Sequence, residues 1–270
     1  MSFFKSSESL DLSVVIINWR QRYHMERSLP SIFNKNFSLK FEVILINKPS
    51  DDETENFIKE NYPEVKLIEH QKFGIAEMRN VGIINSQGRY ILMLDADTEV
   101  LYASFDKMIK FMNEHPETGG AGGKTLKPDG NLEYSCKRFY SLPAILMRRT
   151  PLGKIFPHNK WDKNHLMMDK NHNEIFEIDW MAGACFLMRR KTIEQVGIFD
   201  EHFYFGFEDV DWCYRAKKLG WKIHYIPDAC IIHYVQRSSA KGFNKMAFQH
   251  LKSGLRFWRK HYAPKFLRIQ

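Results

Sequence analysis

The sequence predicts an α/β fold, with a Rossmann-like, mostly parallel central sheet, flanking helices and a C-terminal amphipathic helix on a single domain. Three observations predict it. Short apolar runs rich in β-branched residues alternate with helical patterns at close spacing, the signature of a sheet wound with helices. The run Tyr90–Leu94 is continuously apolar and too short for a helix, so it is a buried central strand. At its carboxyl end stand two acids, Asp95 and Asp97, where open α/β sheets carry their ligand crevices.

In order, Leu12–Asn18 is a buried strand, and a helix from about Tyr23 to Asn34 carries Pro30 as a candidate kink. Phe41–Asn47 is the second strand, after which Ser50 or Asp51 can cap a helix running to about Asn61. Val65–Glu69 is a third strand and Gly74–Ser86 a helix, and Gly88 turns the chain into the central strand. A helix from about Ser104 to His115 is stopped by Pro116. The stretch 118–125, Thr-Gly-Gly-Ala-Gly-Gly-Lys-Thr, invites a phosphate-loop reading. That loop needs glycine where Thr118 stands, so the stretch is a strand with close backbone packing. Lys127-Pro-Asp-Gly130 is a turn between two short strands.

From Cys136 to about Asn173 the regular pattern breaks into a long loop, with basic residues including Lys137, Arg138, Lys154, Lys160 and Lys163 among aromatics. His158, His165 and His172 recur every seven residues there without an acidic partner, which reads as a solvated loop. Residues 178–188 hold small side chains, Gly183 among them, where something approaches the backbone closely. A short helix Lys191–Val196 ends at Gly197. Glu208, Asp209 and Asp211 crowd the first turn of a helix ending near Gly220, and an aromatic, glycine-bearing segment precedes them. Acids complement a helix N-terminus, and an aromatic-walled carboxylate is also how a general base is kept partly desolvated. Trp221–Pro227 and Ala229–His233 are strands, with His233 at the end of an apolar run as a packed residue or a ligand.

The last helix places Phe243, Ala247, Leu251, Leu255, Trp258 and Tyr262 on one face among Lys252, Arg256, Arg259 and Lys260. Such a stripe either packs on the domain or lies against anionic lipid. The formal charge of +8 suits nucleic acid, an anionic surface or phosphorylated substrates. The basic residues gather in the 137–163 segment and the last helix rather than on one face, which argues against nucleic acid. Four scattered cysteines form no Cys-x-x-Cys, and no secretory signal or spanning segment is visible, so a reduced, cytoplasmic protein is expected. The Asp-x-Asp pair is read economically as a divalent-metal site that receives a diphosphate, and blandly as a solvated strand end.

The order of Ser13-Val-Val-Ile-Ile-Asn, Gly74-Ile-Ala-Glu-Met-Arg-Asn, Asp95-Ala-Asp, Gly183-Ala, Phe207-Glu-Asp-Val-Asp and Ile232-His resembles glycosyltransferase family 2, and most of all its bacterial rhamnosyltransferase-like branch. The resemblance runs from about residue 11 to 262. It implies a GT-A fold, a nucleoside-diphosphate sugar donor (dTDP-rhamnose or a UDP-sugar), Mn2+ or Mg2+, and inversion at the anomeric carbon. It implies that Trp19 lies beside the base, that Arg79 and Asp95 contact ribose or diphosphate, and that Asp97 ligates the metal. Asp209 would be the base, steadied by Glu208, with His233 approaching the metal from the other side. One position departs from the pattern. Asn47-Lys-Pro-Ser stands where the family usually has Asp-Asn-x-Ser, so an amide replaces the carboxylate that reads the pyrimidine imide, leaving the base selected in doubt.

The implied organisation is a nucleotide-sugar half (about 1–125), an acceptor half (about 126–240) with the 136–173 loop, and the basic helix 241–270. The implied acceptor is a growing bacterial surface glycan, free or lipid-linked, reached through peripheral contact at the inner face of the membrane. A sugar-phosphate nucleotidyltransferase would need a Gly-rich loop after the first strand, which Asn18-Trp-Arg-Gln is not. A degenerate transferase retained as a scaffold is slightly favoured by Asn47 and opposed by Asp97, Asp209 and His233.

Overall fold

The computed structural model describes residues 10–149, 155, 156, 159–234 and 245–263. β1 (Leu12–Asn18), β2 (Phe41–Asn47), β3 (Lys66–Glu69) and β4 (Tyr90–Asp95) lie parallel in the spatial order β3-β2-β1-β4. The crossovers are α1 (Arg22–Phe33), α2 (Thr54–Asn61) and α3 (Ile75–Asn85). Both faces of β1 are buried. Leu12, Val14 and Ile16 pack with α1 and with α4 (Ser104–Glu114), while Val15 packs with α3 on the other side. Each such fully buried aliphatic side chain contributes roughly 1.5–3 kcal/mol, which is why a continuous apolar run rather than an alternating one marks a central strand. Gly82 of α3 lies where a Cβ would collide with Val15, so glycine sets the closeness of that helix to the sheet.

Beyond β4 the sheet becomes mixed. β11 (Cys185–Arg189) is antiparallel to both β4 and β6 (Thr118–Leu126). β12 (Lys222–His233) is parallel to β6 and antiparallel to β5 (Thr98–Leu101) and β9 (Phe176–Ile178). β6 and its return strand β7 (Leu132–Glu133) flank the Lys127–Gly130 turn, closed by a Gly130 N–H to Lys127 carbonyl bond. Two helices, α7 (Arg190–Val196) and α8 (Glu208–Lys218), cover the α3 side, and α9 (Lys245–His261) packs on α8 through Phe257.

Several expectations are corrected. The strand Thr98–Leu101, which the sequence reading did not separate, follows the turn at Ala96 and Asp97 and pairs with β12. The two expected strands 221–227 and 229–233 are one, β12, with an irregularity between Ile226 and Cys230 that absorbs Pro227. α2 starts at Thr54, behind Glu53 in the left-handed region, and not under a Ser50 or Asp51 cap. The segment 136–173 is not structureless. It holds β8 (Cys136–Lys137), α5 (Leu142–Arg149) and α6 (Lys160–His165), with β8 paired to β10 (Trp180–Met181). His165 and His172 are buried rather than solvated, packed against Tyr140 and Trp180 and against Tyr134 and Tyr225 respectively. Lys154, His158 and Phe243 lie outside the described residues. The four cysteines are free and buried. No described helix is long and apolar enough to cross a membrane.

Candidate active site

The carboxyl ends of β4 and β12 bring Asp95, Asp97 and His233 together, with one ligand atom from each within 4.8 Å of the others. The sheet imposes this. His233 pairs with Thr98 across β12 and β5, and the Tyr234 N–H donates to the Asp97 carbonyl at 2.8 Å. His233 Nε2 is 3.4 Å from Asp97 Oδ1, and its Nδ1 is 2.9 Å from Glu133 Oε2. Burial works against protonation of this imidazole, but hydrogen bonds to Asp97 and Glu133 outweigh it and raise the pKa to about 10. Asp95, Asp97 and His233 are placed so that they could hold one metal ion. Two carboxylates and an imidazole fixed through its second nitrogen by another carboxylate form a donor set that suits Mn2+ and also serves Mg2+.

Glu133 went unread in the sequence, and a signal for it existed. The Lys127–Gly130 turn folds β7 back on β6, and β6 lies beside β12 with Leu126 opposite Ile232. A hairpin of that length returns a residue to the neighbourhood of His233.

Arg79 sits under the other acidic group. It is 4% exposed, and its guanidinium donates to Asp95 Oδ1 at 2.8 Å, to Glu208 Oε1 at 2.8 Å and to the Gly183 carbonyl at 3.1 Å. A Cβ on Gly183 would fall on that guanidinium, which is the close approach the small residues anticipated. Arg79 therefore spends its described hydrogen bonds on the protein, joining the strand that bears Asp95 to the helix that bears Glu208. Asp209 is buried at the start of α8, accepting from the Gly183 N–H at 3.2 Å and the Val210 N–H at 2.8 Å. Burial pushes its carboxyl up while Arg79 pulls it down, and the net is upward. Glu208 is also raised, to about 8, through burial and then the Asp209 charge, against Arg79.

α8 begins from Gly206 and Phe207, both with positive φ, so the chain turns sharply to aim Glu208 and Asp209 inward. A left-handed non-glycine residue costs on the order of 1 kcal/mol or more. The Phe207 ring is held by Tyr140, Phe257 and His250, which fixes the turn.

On the opposite flank, Trp19 follows β1 with 40% exposure, 4.7 Å from Phe73, and the Lys48 ammonium lies 5.3 Å from its ring. Asn47 ends β2, is 2% exposed and accepts from Asn18 Nδ2 at 2.8 Å. Trp19 and Asn47 are thus gathered at the ends of β1 and β2, apart from Asp209, which belongs to α8.

α9 divides its residues differently from the expected stripe. Phe257 and Ser253 face inward, and Gly254 meets Phe207. Lys260 bonds Asp200 at 2.7 Å and Asp211 at 3.0 Å, His261 reaches Asp211 at 2.7 Å, and Arg256 is 3.7 Å from Asp200. Arg256 and Lys260 are therefore committed to the half-buried Asp200 and the buried Asp211 rather than free for headgroups. Phe248, Leu251, Leu255, Trp258 and Tyr262 are exposed, with Lys252 and Arg259 among them.

Comparison with known proteins bears on the family and the fold. Residues 10–250 match the family model described as glycosyltransferase like family 2. The N-acetylglucosaminyl-diphospho-decaprenol L-rhamnosyltransferase of Mycobacterium tuberculosis is 27% identical over 258 residues, covering 90% of this chain and 82% of that protein. The rhamnosyltransferase WbbL of Escherichia coli is 35% identical over 80 residues, covering 30% of each chain. Among solved structures, GalNAc-T7 with UDP, GalNAc and Mn2+ superposes with a TM-score of 0.69 at 18% identity, over 93% of this chain and 48% of that one. The Pyrobaculum calidifontis mannosyltransferase with GDP-Man and Mn2+ gives 0.59 at 16% identity, over 93% and 66%. The chain thus spans about half to two thirds of those structures, and the likeness is one of fold: the sheet is that of GT-A glycosyltransferases.

Proposed function

As a member of glycosyltransferase family 2, this chain is a glycosyltransferase, and we propose that it moves a sugar from a pyrimidine nucleoside-diphosphate donor, dTDP-rhamnose or a UDP-sugar, to a hydroxyl of a growing bacterial surface glycan. The observation that carries this reading is the pairing of two clusters: Asp95, Asp97 and His233 within 4.8 Å, and Asp209 beside the Arg79 that grips Asp95. Trp19 and Asn47 take the base. Asp97, His233 and Asp95 are the residues that would hold Mn2+ or Mg2+, and an ion bound there would stabilise the charge that builds on the leaving diphosphate.

Asp209 removes the acceptor proton as the hydroxyl oxygen attacks the anomeric carbon from the face opposite the diphosphate, so the product is inverted. Each of its oxygens already accepts one backbone N–H, which fixes the carboxylate while leaving lone pairs for the acceptor hydroxyl. Its raised pKa makes it a stronger base than an exposed aspartate. Glu208 and Arg79 hold it in position. We assign the donor to about residues 1–125 and the acceptor to about 126–240.

Two substitutions at opposite ends of the reaction test this. Asp97→Asn abolishes Mn2+-dependent nucleotide binding in calorimetry while the far-ultraviolet circular dichroism stays native. Asp209→Asn leaves donor binding intact and lowers turnover by ~10²–10⁴, as loss of a general base does. Unchanged manganese-dependent affinity in the first, or normal turnover in the second, removes that residue from the machinery.

On the acceptor side, the mycobacterial relative is named for a diphospho-decaprenol acceptor, and the outer face of α9 has the chemistry for a lipid surface. We assign Leu251, Leu255 and Trp258 to the interface and Lys252 and Arg259 to anionic headgroups, at the inner face of the cytoplasmic membrane. Each basic residue near such a surface is worth about 1 kcal/mol. Lys252→Gln with Arg259→Gln therefore reduces sedimentation with phosphatidylglycerol vesicles by roughly tenfold or more. Equal sedimentation of both proteins, or indifference to anionic lipid, refutes the membrane assignment.

A further inference from the structure

The ends of β1 and β2 hold a cavity of about 200 Å3 lined by Asn47, Pro49, Ser50, Asp51, Glu53 and Asn56. Asn47 is the buried residue of this lining, and a hydrogen-bonded chain behind it fixes which end of its amide faces the cavity. The chain starts at Asp52. Its carboxylate accepts from Ser50 Oγ at 2.8 Å, from the Arg22 N–H at 3.1 Å and from Thr54 Oγ1 at 2.9 Å. Burial of Asp52 favours its neutral form, but the hydrogen bonds from Ser50 and Thr54 outweigh that and hold its pKa below the usual value. An ionised carboxylate only accepts, so the single Thr54 hydroxyl proton points at Asp52.

Thr54 Oγ1 is then an acceptor toward its other neighbour, Asn18, 3.2 Å away. That requires the Asn18 amide nitrogen to face Thr54. The same nitrogen carries a second proton, and it lies 2.8 Å from Asn47, so the atom Asn47 turns toward Asn18 is its oxygen. Reversing Asn47 would set two NH2 groups against each other. Reversing Asn18 would set its oxygen against the Thr54 lone pairs. The Asn47 oxygen is thus held inward, and its NH2 group, with no hydrogen bond among the described residues, is left to the cavity.

We propose that Asn47 makes this a base site that reads a hydrogen-bond acceptor, a ring carbonyl or ring nitrogen, instead of an imide N–H. The proposal rests on the donor reading above and gives it a selectivity. A carboxylate at this position would welcome the N3–H of uracil or thymine and repel the unprotonated N3 of cytosine. An NH2 donor does the reverse at N3, and it serves the O2 carbonyl that all three pyrimidines share. The site therefore accepts cytidine nucleotides on a par with uridine and thymidine ones. Asn47→Asp converts the donor into an acceptor and reinstates the discrimination.

The test is calorimetric titration of UDP, dTDP, CDP and GDP in Mn2+, for the wild type and for Asn47→Asp. The expected wild-type result is CDP within about threefold of UDP or tighter, and a drop in the CDP-to-UDP affinity ratio of tenfold or more in the variant, the scale of one mispaired buried group. Asn47→Ser, which keeps a group that can both donate and accept, gives an intermediate ratio. A wild type that rejects CDP by more than tenfold, or a ratio that Asn47→Asp leaves unchanged, overturns the inference while leaving the donor reading intact. Absence of binding by all four nucleotides overturns the donor reading, and this inference with it.

Discussion

Two groups of acids meet within this site, and they are neutralised by different means. Asp97 and Glu133 close on His233, whose positive charge is a proton that can leave. Asp95 and Glu208 close on Arg79, whose positive charge is permanent at any working pH. The first group sits where strand ends open, and the second is buried between β4 and α8. The contrast separates what each can do. A proton on an imidazole can be replaced by a metal ion, so the His233 group suits a charge that arrives with the substrate. A guanidinium cannot be displaced, so the Arg79 group is a fixed joint that holds Asp95 and the first turn of α8 in one frame. Asp95 belongs to both groups, and through it the placement of one constrains the other.

The larger expected effect breaks that joint. Arg79→Met keeps the aliphatic stem and removes the charge, leaving Asp95 and the buried Glu208 facing each other without a cation. Removing one partner of a buried ion pair costs about 3–5 kcal/mol, and protonation of Glu208 brings this toward the lower end. Asp97→Asn, at the open group, costs less than Arg79→Met, because His233 can release its proton and Glu133 still holds its Nδ1. Urea denaturation of the two variants measures the difference directly. If Arg79→Met loses no more stability than Asp97→Asn, the two groups do not differ in the way described.

How much of this the sequence carried depends on how local each feature is. β1, β2, α3 and β4 were legible almost to the residue, because a doubly buried parallel strand must be continuously apolar and its helix must follow directly. Asp95, Asp97, Asp209 and His233 were legible as residues, since each stands at the end of an element the pattern itself defines. Their partners were not. Glu133 reaches His233 only through a three-strand neighbourhood of β7, β6 and β12, and Arg79 reaches Glu208 across 129 positions of chain. The expectation that Arg79 serves a ribose or diphosphate came from motif order alone, and sequence says nothing of the three protein acceptors that surround it. α9 failed in a related way. Its helical period was clear, but Asp200 and Asp211, which draw Arg256 and Lys260 inward, lie on elements far away in sequence. The donor end of Asn47 was unreadable too, because amide orientation follows from Asn18, Thr54 and Asp52 together.

The smaller effect sharpens the same comparison through pH. In the folded protein Glu208 titrates near 8, raised first by burial and then by the Asp209 charge, while in the unfolded chain it titrates near 4.5. Between those values the folded state keeps a proton that the unfolded state has released. Stability therefore falls as pH rises. The contribution is complete below pH 4.5 and is lost as pH climbs through about 8. Asp209, raised in the same direction, adds to the slope, so the diagnostic quantity is the difference made by Glu208→Gln. That substitution keeps the shape and an amide oxygen for Arg79, and it removes the titration. Urea midpoints of wild type and Glu208→Gln at a series of pH values across this window should diverge, the wild type declining more steeply. Parallel curves would mean that Arg79 already holds Glu208 ionised in the folded protein. The buried group would then behave as a fully charged ion-pair network rather than as a joint that keeps one of its carboxyl groups neutral.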